Sequence, residues 1–267
     1  MKNFIVYIAI TTLWLTPNMS LHAADGDHYI PEAGSRIERE KGLPWAFTPD
    51  PTLPNVLILG DSISIGYTLP VRRLLHGKAN VFRPIAPDGS HPVNCCGTAY
   101  GLKCINEWLA GHKWAVIYFN WGLHDLKHVK PGSGKNSNNP TDPVQATVQQ
   151  YTRNLDILVG KLKATGARLV FATTTPVAPG TVNPYRDPGA PGRYNTAAVE
   201  IMKANGIRVD DLYAFCKPQL SQWQARHNVH FKAAGWLGLA RHVASVIGEE
   251  LPASSVRRKL SQDSKIK

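Results

Sequence analysis

Three short polar clusters carry the side chains that acyl-transfer chemistry needs. Gly60-Asp61-Ser62-Ile63-Ser64 follows directly on the apolar run Asn55–Leu59. A glycine at a strand end lets the chain turn sharply, and a serine just beyond it is exposed, with its own N–H able to face a developing oxyanion. Phe119-Asn120-Trp121-Gly122-Leu123-His124-Asp125 ends a second apolar run. His227-Asn228-Val229-His230-Phe231 lies just before the last helical pattern. A neutral imidazole there can take the proton of a serine. Each cluster alone is a weak signal, since Gly-Asp-Ser occurs in many turns and a lone histidine usually serves structure. Together they offer a nucleophile, a base and oxyanion donors.

Such clusters work only if a scaffold gathers the ends of separate segments. Apolar runs at Asn55–Leu59, Asn80–Phe82, Trp114–Phe119, Arg168–Ala172 and Ile207–Val209 are expected strands. Between them lie helical patterns. One is expected to be capped by Thr68, with Pro70 in its first turn and Gly77 past its end. Leu102, Ile105, Trp108 and Leu109 share a second face, closed by Gly111. Val144, Val148, Tyr151, Leu155, Leu158 and Leu162 predict a long third helix ending at Gly166. A fourth is expected over Asn195–Asn205, and a last one on Trp236, Leu239, Ala240, Val243 and Ile247. Continuous apolar strands alternating with amphipathic helices predict an α/β fold, a three-layer α/β/α sandwich around a mostly parallel sheet. Ligands in such folds bind beyond the carboxyl ends of the strands. Two Gly/Pro-rich stretches, Lys130–Asp142 and Val177–Gly192, also follow strands. They either line a substrate mouth or act as flexible spacers.

On these residues the chain resembles the SGNH (GDSL) hydrolase family, from about Pro54 to Ile247. Gly60-Asp61-Ser62 matches the first block, with Ser62 at the nucleophile position. Asn94-Cys95-Cys96-Gly97-Thr98 contains the second, whose glycine donates a backbone N–H; Gly97 is the match, with Cys96 one register away. Gly122-Leu123-His124-Asp125 stands against Gly-x-Asn-Asp, and is similar to the third block of an extracellular subgroup. Asn228-Val229-His230-Phe231 contains the base, His230. The resemblance implies a flavodoxin-like fold and a cofactor-free serine esterase. Two departures matter. His124 replaces the oxyanion asparagine; an imidazole N–H can still donate, and Asn120 is an alternative donor. His227 replaces the aspartate three residues before the base, so another acceptor must orient His230. A backbone carbonyl would give a Ser-His dyad, and Asp125, Asp210 and Asp211 are more distant candidates. An O-acetyl ester on a carbohydrate is the substrate most in keeping with similar exported proteins. A non-catalytic carbohydrate-binding protein and an O-acyltransferase are the rival readings.

With 43% apolar and 18% charged residues among 267, the chain is not intrinsically disordered. It is long enough for one large domain. Lys2, the apolar run Phe4–Thr16 and the small pair Ala23-Ala24 read as a signal peptide over 1–24, cleaved near Ala23 or Ala24, with an uncleaved anchor as the alternative. The protein is then secreted or periplasmic. An arm over 25–50, the hydrolase-like domain over 51–251 and a basic disordered tail over 252–267 complete the organisation. No apolar run reaches the ~18 residues of a membrane span. The net charge of +11 suits acidic polymers or solubility alone, and no nucleic-acid-binding pattern is present. Of Cys95, Cys96, Cys104 and Cys216, one of the first two either bridges to Cys104 or all remain buried thiols. His124/His128 and His227/His230 have helical metal-ligand spacing without a further ligand, so no metal is expected. Gly132-Ser133-Gly134-Lys135-Asn136 fails the phosphate-loop pattern.

Overall fold

A computed structural model describes residues 45–180 and 182–253. The apolar leader, most of the expected N-terminal arm and nearly all of the basic tail lie outside the described residues. Five strands, β1 (Asn55–Leu59), β2 (Asn80–Phe82), β3 (Val116–Phe119), β4 (Arg168–Ala172) and β5 (Arg208–Asp210), form one sheet in the order β2-β1-β3-β4-β5. Every pairing is parallel, and Leu59 lies opposite Phe119 and Phe119 opposite Phe171. All four residues of β3 are fully buried. That is the burial expected of a central strand with both faces covered.

The helices are α1 (Ser62–Leu74), α2 (Thr98–Leu109), α3 (Val148–Lys163), α4 (Ala190–Ala204), the short α5 (Leu212–Cys216) and α6 (Leu220–Trp223), and α7 (Ala233–Glu250). Helix α1 packs on α7, while α2 packs on α3 and α3 on α4. The result is the expected three-layer α/β/α sandwich. Among the described residues no helix is long and apolar enough to cross a membrane.

Three expected helix starts differ from the structure, each for a local reason. Helix α1 begins at Ser62, not at Thr68. The Asp61 side chain caps it by accepting from the Ile63 N–H at 2.9 Å. Thr68 instead lies mid-helix and donates back to the Ser64 carbonyl at 2.6 Å. Pro70 is therefore inside the helix. Helix α3 begins at Val148, not at Val144. Thr147 and Gln150 form a reciprocal capping box, and Val144 pairs with His128 in an antiparallel bridge. Helix α4 begins at Ala190, five residues before Asn195, with Pro191 in its first turn.

The α1–α7 contact is unusually close. A Cβ on Gly66 would stand 2.4 Å from the Trp236 indole. Gly66 lies one turn beyond Ser62, and Trp236 follows His230 in the opening turn of α7. The contact therefore sets the distance between the two chain segments that carry Ser62 and His230.

Candidate active site

Because the sheet is parallel, α1, α2, α3 and α4 all start at its carboxyl edge. Ser62 is the first residue of α1, and Gly97 is the N-cap of α2. Neither backbone N–H has a hydrogen-bond partner among the described residues. Both sit at helix starts, where the peptide dipoles favour negative charge. Cys96, the alternative register, has its N–H engaged by the Asn94 side chain at 2.9 Å. Gly97 is also closely packed. A Cβ there would lie 2.7 Å from Gln145 Nε2 and 3.2 Å from both Asp125 carboxylate oxygens.

The Gly60 turn is held by Arg83, which is buried at the end of β2. Its guanidinium donates to the Gly60 and Val93 carbonyls at 3.1 and 2.9 Å, and to the Ser64 and Thr68 hydroxyls at 3.1 and 3.0 Å. Asp61 is buried with one carboxylate oxygen on the Ile63 N–H. Burial raises its pKa, and the cations of Arg186 and Arg83 oppose the rise.

His230 Nε2 lies 2.8 Å from Ser62 Oγ. Its other ring nitrogen, Nδ1, lies 2.7 Å from Asn228 Oδ1, which also accepts from the His230 backbone N–H at 3.1 Å. An acceptor at Nδ1 requires that nitrogen to carry the proton. Nε2 is then left to accept from the serine. The carboxamide of Asn228, two residues before the base, thus occupies the role that neither His227 nor a distant aspartate fills. His227 has φ +54° and is exposed, with Nε2 3.1 Å from Arg226 Nε.

The three aspartates considered for His230 are engaged elsewhere. Asp125 accepts from the Thr98 N–H at 2.9 Å and from its hydroxyl at 2.5 Å, tying the third block to the start of α2. Burial pushes its pKa up to about 6 against those hydrogen bonds. Asp210 accepts from the Tyr118 hydroxyl at 2.6 Å and pairs with His242 Nε2 at 2.7 Å. Asp211 caps α5 and binds the Thr173 hydroxyl at 2.8 Å.

The two side-chain oxyanion candidates also separate. Asn120 donates to the Ala172 carbonyl at 2.7 Å, so its amide bridges the ends of β3 and β4. The His124 ring makes no hydrogen bond among the described residues. Burial lowers its pKa to about 3, with Lys127, Arg186 and His230 adding to the effect. It is therefore a neutral N–H donor over the whole physiological range. His230 is likewise lowered from its ordinary value, first by burial and then by Arg186.

Arg186 was not singled out from the sequence. It is buried, with Nε donating to the Leu123 carbonyl at 2.8 Å and Nη1 to the Pro184 carbonyl at 3.2 Å. It fixes the loop carrying His124, and its charge adds to burial in lowering the pKa of both histidines. Nothing in a Gly/Pro-rich stretch marks one arginine as buried. All four cysteines are free thiols. Among the described residues no three His, Cys, Asp or Glu side chains gather so as to hold a metal ion.

Comparison with known proteins names the family to which this fold and this edge constellation belong. Residues 58–236 match the GDSL-like Lipase/Acylhydrolase family. The chain belongs to that family, the GDSL/SGNH hydrolases. Among solved structures it is similar to the lipase/acylhydrolase from Enterococcus faecalis, at 19% identity and TM-score 0.59, over 74% of this chain and 97% of that one. It is also similar to the acetyl xylan esterase AlAXEase, at 14% identity and TM-score 0.56, over 72% and 99%. A catalytic mutant of an acetylxylan esterase from Geobacillus stearothermophilus gives 15% identity and TM-score 0.55, over 75% and 97%. At these identities the likeness is one of fold. A search of curated proteins returns no match.

Proposed function

We propose that the protein is an exported serine esterase that hydrolyses an ester, with O-acetyl groups on a carbohydrate as the substrate class. The observation that carries the reading is the continuous chain Ser62 Oγ–His230 Nε2 at 2.8 Å and His230 Nδ1–Asn228 Oδ1 at 2.7 Å. Ser62 Oγ attacks the ester carbonyl as its proton passes to His230 Nε2. The carbonyl oxygen gains the charge and is met by the N–H groups of Ser62 and Gly97 and by the neutral His124 ring. Collapse breaks the bond to the leaving alkoxide, which takes the proton from His230. Water, deprotonated by the same imidazole, then releases the acid and restores Ser62.

The carbohydrate part rests on the resemblance to exported proteins and on neighbours whose names are acetyl xylan esterases. The export part rests on the leader and on the Gly-Leu-His-Asp block. The test is covalent labelling with a fluorophosphonate probe, read by intact mass, beside Ser62→Ala and His230→Ala. One adduct on Ser62, absent from both variants, is expected. A folded protein that takes no adduct, yet binds oligosaccharide, would establish the non-catalytic alternative instead. Acyl transfer to an added sugar in place of hydrolysis would mark an acyltransferase.

A further inference from the structure

A second cleft lies on the same carboxyl edge, between the starts of α3 and α4. It has a volume of about 410 Å³, within the ~300–1,000 Å³ of small-molecule sites. Its walls come from both Gly/Pro-rich stretches, 130–142 and 177–192, and from the two helix starts. The segment 184–187 separates it from the catalytic centre. Arg186 turns inward to the Leu123 carbonyl, next to His124, while its neighbours Tyr185 and Asp187 line the cleft.

Three features of the lining specify a ligand. His128 is 8% exposed, and its Nδ1–H donates to the Asp142 carbonyl at 2.6 Å. Its Nε2 has no partner among the described residues. The Tyr185 ring stands edge-on to His128, centroids 4.9 Å apart, and its hydroxyl likewise has no partner among the described residues. Arg193 and Asp187 form an ion pair of 2.7 Å with both side chains largely exposed, so the mouth offers a donor and an acceptor but no net charge. Val148 and Tyr194 supply apolar surface. Unsatisfied hydroxyl-type partners, aromatic and aliphatic walls, and cancelled charge fit a neutral polyhydroxylated ring better than an anion or an acyl chain.

We propose that this cleft is a saccharide subsite, binding a neutral sugar unit of the polymer whose neighbouring ester is presented to Ser62. This rests on the carbohydrate reading of the substrate. It also gives the two Gly/Pro-rich stretches a common purpose as walls of one binding site.

The test separates the subsite from the chemistry. Calorimetric titration of the wild-type protein with deacetylated xylo-, manno- and chito-oligosaccharides measures binding without turnover. Tyr185→Phe removes only a hydroxyl, and Arg193→Ala removes the exposed guanidinium that pairs with Asp187. Melting curves confirm that both variants fold. Each is expected to weaken binding of the preferred oligosaccharide 3- to 10-fold. Each should raise KM for its acetylated form by a similar factor and leave p-nitrophenyl acetate hydrolysis within twofold. Loss of activity on both substrates alike would make the residues structural and overturn the subsite. So would unchanged oligosaccharide binding in both variants, or no binding by the wild type. If binding behaves as expected but p-nitrophenyl acetate is not cleaved, the esterase reading fails and the subsite stands.

Discussion

Replacing Asn228 examines the part of the site that departs most from its family. In the structure one carboxamide oxygen accepts two hydrogen bonds from His230, at 2.7 Å from Nδ1 and 3.1 Å from the backbone N–H. A neutral hydrogen bond contributes about 0.5–1.5 kcal/mol net. Asn228→Ala is therefore expected to cost about 1–3 kcal/mol of transition-state stabilisation, roughly a 5- to 150-fold fall in kcat/KM. Asn228→Asp places a carboxylate against Nδ1 and favours the imidazolium. A carboxylate neighbour moves a pKa by about 1–3 units. His230 must be unprotonated to accept from Ser62, so activity is lost as pH falls through its pKa. Burial and Arg186 hold that pKa below the ordinary 6.5 in the wild type, so the acid limb of kcat/KM lies below 6.5. In Asn228→Asp the limb should move up by about 1–3 units, with activity at pH 8 retained or raised. The assay is p-nitrophenyl acetate hydrolysis from pH 4.5 to 9, read as kcat/KM. A limb in the same place in Asn228→Asp, or full activity in Asn228→Ala, would refute the argument that this carboxamide orients the base.

His124→Ala should lower kcat about 100-fold with little change in KM, as loss of one oxyanion donor does, while His124→Asn should stay within tenfold of wild type. The same residue sets an acid sensitivity. Its folded pKa of about 3 lies below the ordinary 6.5, so between those values the unfolded chain binds more protons and stability falls as pH falls. At pH 4.5 this amounts to about 2–3 kcal/mol, which His124→Asn should recover in urea unfolding at pH 4.5 relative to pH 7.5. Gly66→Ala drives a Cβ to 2.4 Å from the Trp236 ring. It should lower stability by about 1–3 kcal/mol and reduce fluorophosphonate labelling of the protein that remains folded, since α1 and α7 are pushed apart. Gly122→Ala combines φ +146° with a Cβ 2.2 Å from Thr174 Oγ1. A loss of at least about 2 kcal/mol is expected, with partial recovery in the double variant carrying Thr174→Ala, as read by a thermal-melt double-mutant cycle.

The layers of the fold were legible because the strands that build it are buried on both faces and read as unbroken apolar runs. Element starts were less so. Periodicity carries no sign of where a cap intervenes. Val144 keeps helical spacing to Val148, yet its backbone bridges His128. Thr68 and Pro70 resemble a helix opening, yet Asp61 opens that helix seven residues earlier. Asp61 belongs to the chemical motif and also caps the helix, and a reading that assigns it only the first role shifts α1 along the chain.

The site divides along a similar line. Ser62 and His230 stand out as residue types in loops after apolar runs, and the structure sets them 2.8 Å apart. What completes the constellation depends on short-range backbone geometry that residue types do not announce. His227 at φ +54° turns the chain so that Asn228, not the residue three before the base, faces the imidazole. Asn94 takes the Cys96 N–H and thereby leaves Gly97 as the open donor. A carboxamide cannot supply the negative charge that an aspartate would, and Arg186 adds positive charge beside it. Both disfavour an imidazolium at rest. The base is thus oriented by hydrogen bonds while burial, with the charge of Arg186, keeps its proton affinity low. In such a site the oxyanion donors must supply a larger share of the transition-state stabilisation. That is why the neutral His124 ring, rather than the missing aspartate, is the departure on which catalysis should depend most steeply.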